Sequence, residues 1–154
     1  MMKLDELTIR PRGDQAQRLL ALWDWRIPQH YEVLFLSLFG DWFLTDDNGF
    51  VHLFDLVSSE LRHTADSEAE LMVILDEPEN RNEWLMEHAV VALKEAGISL
   101  GEGQCYAFRT PPMLGGTMSV DNVIAWDLEA YQAGTSKVHR QVADLPPGTQ
   151  VKAR

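Results

Sequence analysis

The segment 39–55 reads FGDWFLTDDNGFVHLFD, and it constrains the fold more than any other stretch of the chain. Two apolar and aromatic runs, Trp42 to Thr45 and Phe50 to Asp55, flank the bend Asp46-Asp47-Asn48-Gly49. Runs of this length and composition form strands. Asn-Gly at the bend is a strong hairpin signal, because both residues tolerate the left-handed backbone of a type I′ turn. Tyr31 to Phe39 supplies a strand before it, with Gly40-Asp41 as a turn or bulge. After Ser58-Ser59, Glu60 to Thr64 supplies another. The middle of the chain is therefore expected to be an antiparallel meander.

Helices flank the meander. Asp14, with Gln17 three residues on, opens a helix whose stripe is Ala16, Leu19, Leu20 and Trp23 and which ends before Pro28. Ser67 and Glu70 form a capping box in front of Leu71, Ile74 and Leu75. Pro78 stops that helix or follows it closely. A third helix is expected from Asn82 to Ala96, closed by Gly97. Gln104 to Arg109 and Val123 to Trp126 read as strands around a Pro111-Pro112 and Gly115-Gly116 loop. Asp127 caps a last helix with the stripe Leu128, Tyr131, Thr135, Val138 and Val142, leaving His139 off that stripe. Gly134 within it suggests close packing. No regular βαβ alternation, repeat or linker is visible. The expected fold is α+β: one domain over 1–154, a mainly antiparallel sheet with helices packed against one face.

Charge is distributed unevenly. The chain has 13 basic and 24 acidic side chains, for a net charge of −11. Residues 27–108 alone contain 16 acidic and 3 basic side chains, a net of −13. This block disfavours direct nucleic-acid binding, which needs cations against phosphates, and would steer a basic partner instead. A solvated acidic face that aids solubility is the plainer reading. There is no apolar run long enough to span a membrane. The start, MMKLDELTIRPRGD, lacks the apolar core of a secretory signal, and the single cysteine, Cys105, excludes an internal disulfide. A cytoplasmic location is expected.

Signatures of catalysis are missing from the motifs. The five histidines show no HxxxH or HExxH spacing, DDNG lacks the offsets of a calcium loop, and there is no GxSxG elbow. Cys105 sits in an apolar strand, where a thiol is inert. Asp41 and Asp55 can approach each other across the hairpin, but sixteen acids make such pairs common. No metal and no cofactor is expected.

Five segments carry a resemblance to a known family. They are FGDWFLTDDNGFVHLFD at 39–55, ADSEAEL at 65–71, DEPENRNEWL at 76–85, GQCYAFRTPPMLGGTMSVDNV at 103–123 and VHRQVADLPPGTQV at 138–151. Together they resemble the C-terminal domain of bacterial type VI secretion immunity proteins that protect against DNase effectors. The resemblance covers about two thirds of the chain. It implies an antiparallel α+β domain and protein binding rather than catalysis. Longer relatives carry a further N-terminal domain. It brings no binding residues with it, so the candidates come from aromatic, acidic and loop chemistry: Asp41, Trp42, Asp46, Asp47, Arg109 and His139. The expected function is that of a non-catalytic binding domain whose acidic surface meets a basic protein such as a nuclease effector. Two alternatives stand beside it. One is a small ligand-binding or enzymatic domain using His52, His139, Asp41 and Arg109. The other is an adaptor that forms a homodimer through exposed aromatics.

Overall fold

The computed structural model describes residues 2–28 and 30–145. The strands are β1 (Thr8–Ile9), β2 (Glu32–Ser37), β3 (Trp42–Thr45), β4 (Val51–Asp55), β5 (Glu60–Ala65), β6 (Gln104–Phe108) and β7 (Val123–Asp127). The helices are α1 (Gln15–Ala21), α2 (Glu68–Leu75), α3 (Pro78–Leu85), α4 (Glu87–Glu95) and α5 (Leu128–Ala143). The first five strands form one antiparallel sheet in the order β1-β2-β3-β4-β5, and β6 and β7 form a separate antiparallel pair. The α+β class and the antiparallel meander are as the sequence predicts. Past Leu145, the DLPPG motif lies outside the described residues.

Helices cover both faces of the sheet, not one. Side chains alternate across a strand, and here both sets are apolar. Phe35, Phe43, Val51 and Leu53 face Leu71, Leu75, Leu85, Val90 and Leu93 of α2, α3 and α4. Leu36, Trp42, Leu44 and Phe54 face Leu19 and Leu20 of α1, Trp23, and Leu128 of α5. A central strand such as β3, with Trp42, Phe43 and Leu44 all buried, must be covered on each side. The β6–β7 pair bridges the two layers: Cys105 joins the second cluster, while Tyr106 and Phe108 join the first. The Tyr106 backbone N–H donates to the Leu38 carbonyl (2.7 Å), tying this pair to the end of β2.

Three local predictions change. The hairpin turn is not type I′: Gly49 has φ 82° while Asn48 keeps negative φ. The Asp46 N–H donates to the Phe50 carbonyl and the Gly49 N–H to the Asp46 carbonyl, both at 3.0 Å, giving a three-residue loop closed by a left-handed glycine. The Asp46 carboxylate selects this form by accepting the N–H groups of Asn48 (2.9 Å) and Phe50 (3.0 Å). The helix expected over 82–96 is two. Pro78 stands in the first turn of α3, where its missing N–H is harmless. Met86 then turns the chain at φ 55°, and the Asn82 side chain accepts the His88 N–H (3.1 Å) to start α4. Asp14 precedes α1 but makes no side-chain cap bond. The caps at Ser67 and Asp127 do form, to Glu70 N–H (3.0 Å) and Ala130 N–H (2.8 Å).

The phase of α5 also differs. Its buried residues are Leu128, Gln132, Ser136 and His139, a set displaced by about one position from the apolar stripe. Gln132 is fully buried. Its Oε1 accepts the indole N–H of Trp23 (2.8 Å) and of Trp42 (3.0 Å), and its Nε2 donates to the Gly40 carbonyl (2.8 Å). Ser136 accepts the Trp25 indole N–H (2.9 Å) and donates to the Leu22 carbonyl (2.6 Å). Gly40 is required at this contact, since a Cβ there would lie 2.8 Å from Gln132 Nε2, at a φ of 88°. Gly134, by contrast, has no atom within 4 Å of a built Cβ, so it marks no close packing.

This phase generates a stability prediction. Gln132→Met keeps the volume but leaves two buried indole N–H groups without an acceptor, and should cost about 3 kcal/mol. Val138→Ala, on the stripe that hydropathy favours, should cost under about 1 kcal/mol because Val138 is only half-buried. Urea unfolding of the two variants measures both, and a reversed ranking would contradict the observed phase.

Candidate functional site

Three surface features hold the chemistry-bearing residues. The first is an open cleft of about 560 Å³ at the tip of the β3–β4 hairpin. Glu32 at the start of β2, Asp46 and Asp47 in the turn, and Glu68 at the start of α2 line it. The two turn acids differ in role. Asp46 is committed to the loop and to His52, whose Nε2 lies 2.9 Å from its second oxygen. That bond, foremost, holds Asp46 below the usual carboxylate range, although partial burial opposes it. Asp47 is exposed and makes no such bond. Beside the cleft, His52 packs edge-on against Tyr31 and His63, at centroid distances of 5.2 and 5.6 Å.

The second feature is a cavity of about 320 Å³ where four parts of the chain meet. Asp41 and Asp55 come from the sheet, Trp84 from α3, Met118 from the loop after β6, and Tyr131 from α5. Asp41 is held by the Leu56 N–H (2.9 Å) and the Ser37 hydroxyl (3.2 Å). Burial, and secondly the nearby Asp55 carboxylate, push its carboxyl up to about 7. The approach of Asp55 to Asp41 is the one predicted from the hairpin. The loop that brings Met118 to this wall depends on Asn122. Its side chain accepts the Thr110 N–H (3.0 Å) and donates to the carbonyls of Thr110 and Thr117, each at 2.8 Å. Gly116 passes so close to Thr110 that a Cβ would lie 1.8 Å from its carbonyl oxygen.

The third feature is a shallow apolar groove of about 280 Å³ between β6–β7 and α5. Trp126, 48% exposed, and Arg109 line it together with Tyr131, Thr135 and Val138. The stripe assigned to the core thus forms a groove wall. An alternating reading of Val123 to Asp127 places Trp126 opposite Val123 and was the available signal for its exposure.

The six candidate residues separate accordingly. Asp46 and Asp47 share the hairpin cleft, Asp41 lines the central cavity, and Arg109 the groove. Trp42 and His139 are interior side chains at 0% and 5% exposure and offer no surface for a partner. Trp42 is buried by packing on the central strand β3, and Gln132 supplies the acceptor its indole N–H then needs. His139 donates its Nε2–H to the Leu56 carbonyl (2.6 Å), and burial lowers its pKa. Of the four residues considered for catalysis, Asp41 and Arg109 line different cavities, and His52 and His139 line neither. Cys105 is fully buried, with its thiol pushed up to about 12 chiefly by desolvation. Among the described residues, no three His, Cys, Asp or Glu side chains are placed to hold a metal ion. No helix there is long and apolar enough to cross a membrane.

Asp41 sets a pH dependence of stability. A carboxyl whose folded pKa lies above its unfolded value stabilises fully below the unfolded value, and that contribution is lost as pH rises through the folded one. The unfolded chain releases this proton near pH 4 and the folded chain near 7, so Asp41 lowers stability progressively between them. Asp41→Asn keeps an acceptor for the Leu56 N–H and removes the ionisation, and the bond it loses from the Ser37 hydroxyl is a pH-independent cost. Its stability relative to the parent chain should therefore rise from pH 4 to pH 8, by a few kcal/mol. Denaturation midpoints across that range measure it, and a pH-independent difference would contradict the assignment.

Comparison with known proteins follows the same outline. The crystal structure of Atu4351 from Agrobacterium tumefaciens is similar, with a TM-score of 0.58 over 87% of this chain and 68% of that one. At 16% sequence identity the likeness is one of fold. No curated protein matches the sequence. A family model matches from the end of β5 to the middle of α5, a segment that includes the α3–α4 corner, the Asn122-clamped loop and Gln132. Over residues 65–134, the chain matches the model of the family described as T6SS immunity protein Tdi1, C-terminal.

Proposed function

We propose that the chain is a non-catalytic immunity domain that neutralises a basic effector, of the nuclease class, by direct protein contact. The family is one of type VI secretion immunity domains, which is consistent with a partner-binding role. The observation that carries the finer reading is the acidic cleft at the hairpin tip. Glu32, Asp47 and Glu68 surround an open concavity that, among the described residues, no lysine or arginine lines and in which His30 is the one basic side chain. Such a surface raises the encounter rate with a basic groove and selects against acidic partners. A nuclease presents a groove of that kind because it must neutralise phosphates. Trp126 and Arg109 supply a second contact of a different type, an exposed aromatic beside a cation, which is the composition of interface anchors.

The test is binding to a toxin of the nuclease class sought among the products of neighbouring genes. The double variant Asp47→Lys and Glu68→Lys reverses the cleft and leaves the turn-forming Asp46 intact. It should weaken the complex by about tenfold or more, mainly through the association rate, and reduce its salt dependence. Calorimetry and stopped-flow association at two salt concentrations measure this. A tight complex with unchanged affinity and salt slope would remove the cleft from the interface. Absence of any complex would overturn the immunity reading itself.

A further inference from the structure

The cavity that holds Asp41 has features that neither the fold nor the acidic cleft explains. Two carboxylates, Asp41 and Asp55, face it from the sheet, and Glu83 stands at its rim. Among the described residues Arg62 is the only basic residue in its lining; it acts on Asp41 through its charge but makes no ion-pair contact with Asp41 or Asp55. Apart from Asn82, the rest of the wall is apolar, with Trp84, Phe108, Tyr131, Met86 and Met118 beside aliphatic side chains. Stability alone is poorly served by two acids in each other's field beside apolar walls. An unpaired carboxylate in such surroundings favours its neutral form, and a bound cation favours the charged one.

We propose that this cavity binds an organic monocation, an alkylguanidinium or alkylammonium group, with Asp41 and Asp55 as its counter-charge and the aromatic side chains around its alkyl stem. Asp41 Oδ1 and Oδ2 already accept the Leu56 N–H and the Ser37 hydroxyl, so the carboxylate is fixed in place before a ligand arrives. Each oxygen retains acceptor capacity for a donor in the cavity. Aromatic faces attract such cations when water is displaced. The volume of about 320 Å³ falls at the small end of ligand sites and suits a group the size of an arginine or lysine side chain. The cation has two sources, a free small molecule or a basic side chain of a partner protein.

Binding carries its own pH signature. The titratable and charged groups facing the cavity are Asp41, Asp55 and Arg62 from the sheet, Glu83 from α3 and Tyr131 from α5. Tyr131 is held neutral, with burial raising its pKa far above the usual phenol range. Asp41 is the group that changes charge near neutrality. Affinity for a cation should therefore rise between pH 6 and pH 8, by up to about tenfold, the ratio of ionised fractions for a group with a pKa near 7.

Ethylguanidinium and butylammonium at low millimolar concentration, with sodium chloride at matched ionic strength as control, serve as probes of the full chain. NMR titration should show saturable shifts at the Trp84 indole N–H and the Met118 methyl. The apparent affinity should rise with pH as above and fall at least tenfold in Asp41→Asn. The variant Asp47→Lys with Glu68→Lys should bind the probes unchanged, which separates this cavity from the acidic cleft. Shifts that map away from Trp84 and Met118, that sodium chloride reproduces, or that persist in Asp41→Asn overturn the proposal. If Asp41→Asn does not fold, Asp55→Asn, which keeps an acceptor for the Val57 N–H, replaces it, and unchanged probe affinity in that variant overturns the proposal equally. The source is resolved by adding the toxin. Competition between ethylguanidinium and the toxin assigns the cavity to a partner's basic side chain; simultaneous binding assigns it to a free small molecule. Either result supports a cation site, whether or not the immunity reading holds.

Discussion

The buried carboxamide of Gln132 is the contact on which the rest of the structure depends. One side chain from α5 satisfies two indole N–H groups and one backbone carbonyl, on Trp23, Trp42 and Gly40. These partners lie about 90 to 110 positions earlier in the chain. Indoles can only donate, so the amide oxygen must face both of them and the amide nitrogen is left for Gly40. The rotation of α5, the depth of Trp42 and the absence of a side chain at residue 40 are thereby fixed together. Ser136 and His139 continue the same buried face, bonding Trp25, Leu22 and Leu56. With all three polar residues satisfied, the helix can turn half of its apolar stripe toward solvent.

That rotation decides where the surface chemistry falls. Turning Tyr131 outward from the core places it between the central cavity and the Trp126 groove, and it lines both. The two-sided apolar sheet has a parallel effect. The cavity containing Asp41 is lined by both α3 and α5, helices that cover opposite faces of the sheet. The Asn122-clamped loop and the Met86 corner supply the remaining walls. The segments that resemble the immunity family thus have structural explanations: Asn82 starts a helix, Asn122 ties a loop, Gly116 allows that loop to close, and Gln132 anchors α5.

Much of the fold was legible in the sequence. Strands β2 to β7 fall within a residue or two of their expected bounds for most elements, because alternation, turn residues and caps are local signals. The errors cluster where a side-chain hydrogen bond overrode the backbone or hydropathy signal. The turn at Asn48-Gly49 changed type because the Asp46 carboxylate binds the loop N–H groups. Helix 82–96 split because Asn82 caps a new helix after Met86. The stripe of α5 was misplaced because Gln132, Ser136 and His139 are polar yet buried. For the candidate site, composition pointed to Asp41, Asp46 and Asp47, which line the cavity and the cleft, whereas Trp42 and His139 are interior side chains. Glu32, Glu68, Trp84, Met118 and Trp126 were missed, since each joins its site only through pairing or packing across the fold.

The sequence by itself determined the α+β class, the antiparallel meander, the concentration of negative charge in residues 27–108 and the family resemblance. These rest on periodicity, turn chemistry and composition, which act over a few residues or over none. Only the tertiary structure decided that helices cover both sheet faces, that Asp46 is bound to the turn and His52, and that Asp41 and Asp55 face one cavity with no ion-pair contact to a cation among the described residues. Burial and pairing of polar groups are settled by contacts between segments far apart in the chain. A carboxylate has the same local signature whether it ends in solvent, in a turn or in a cavity.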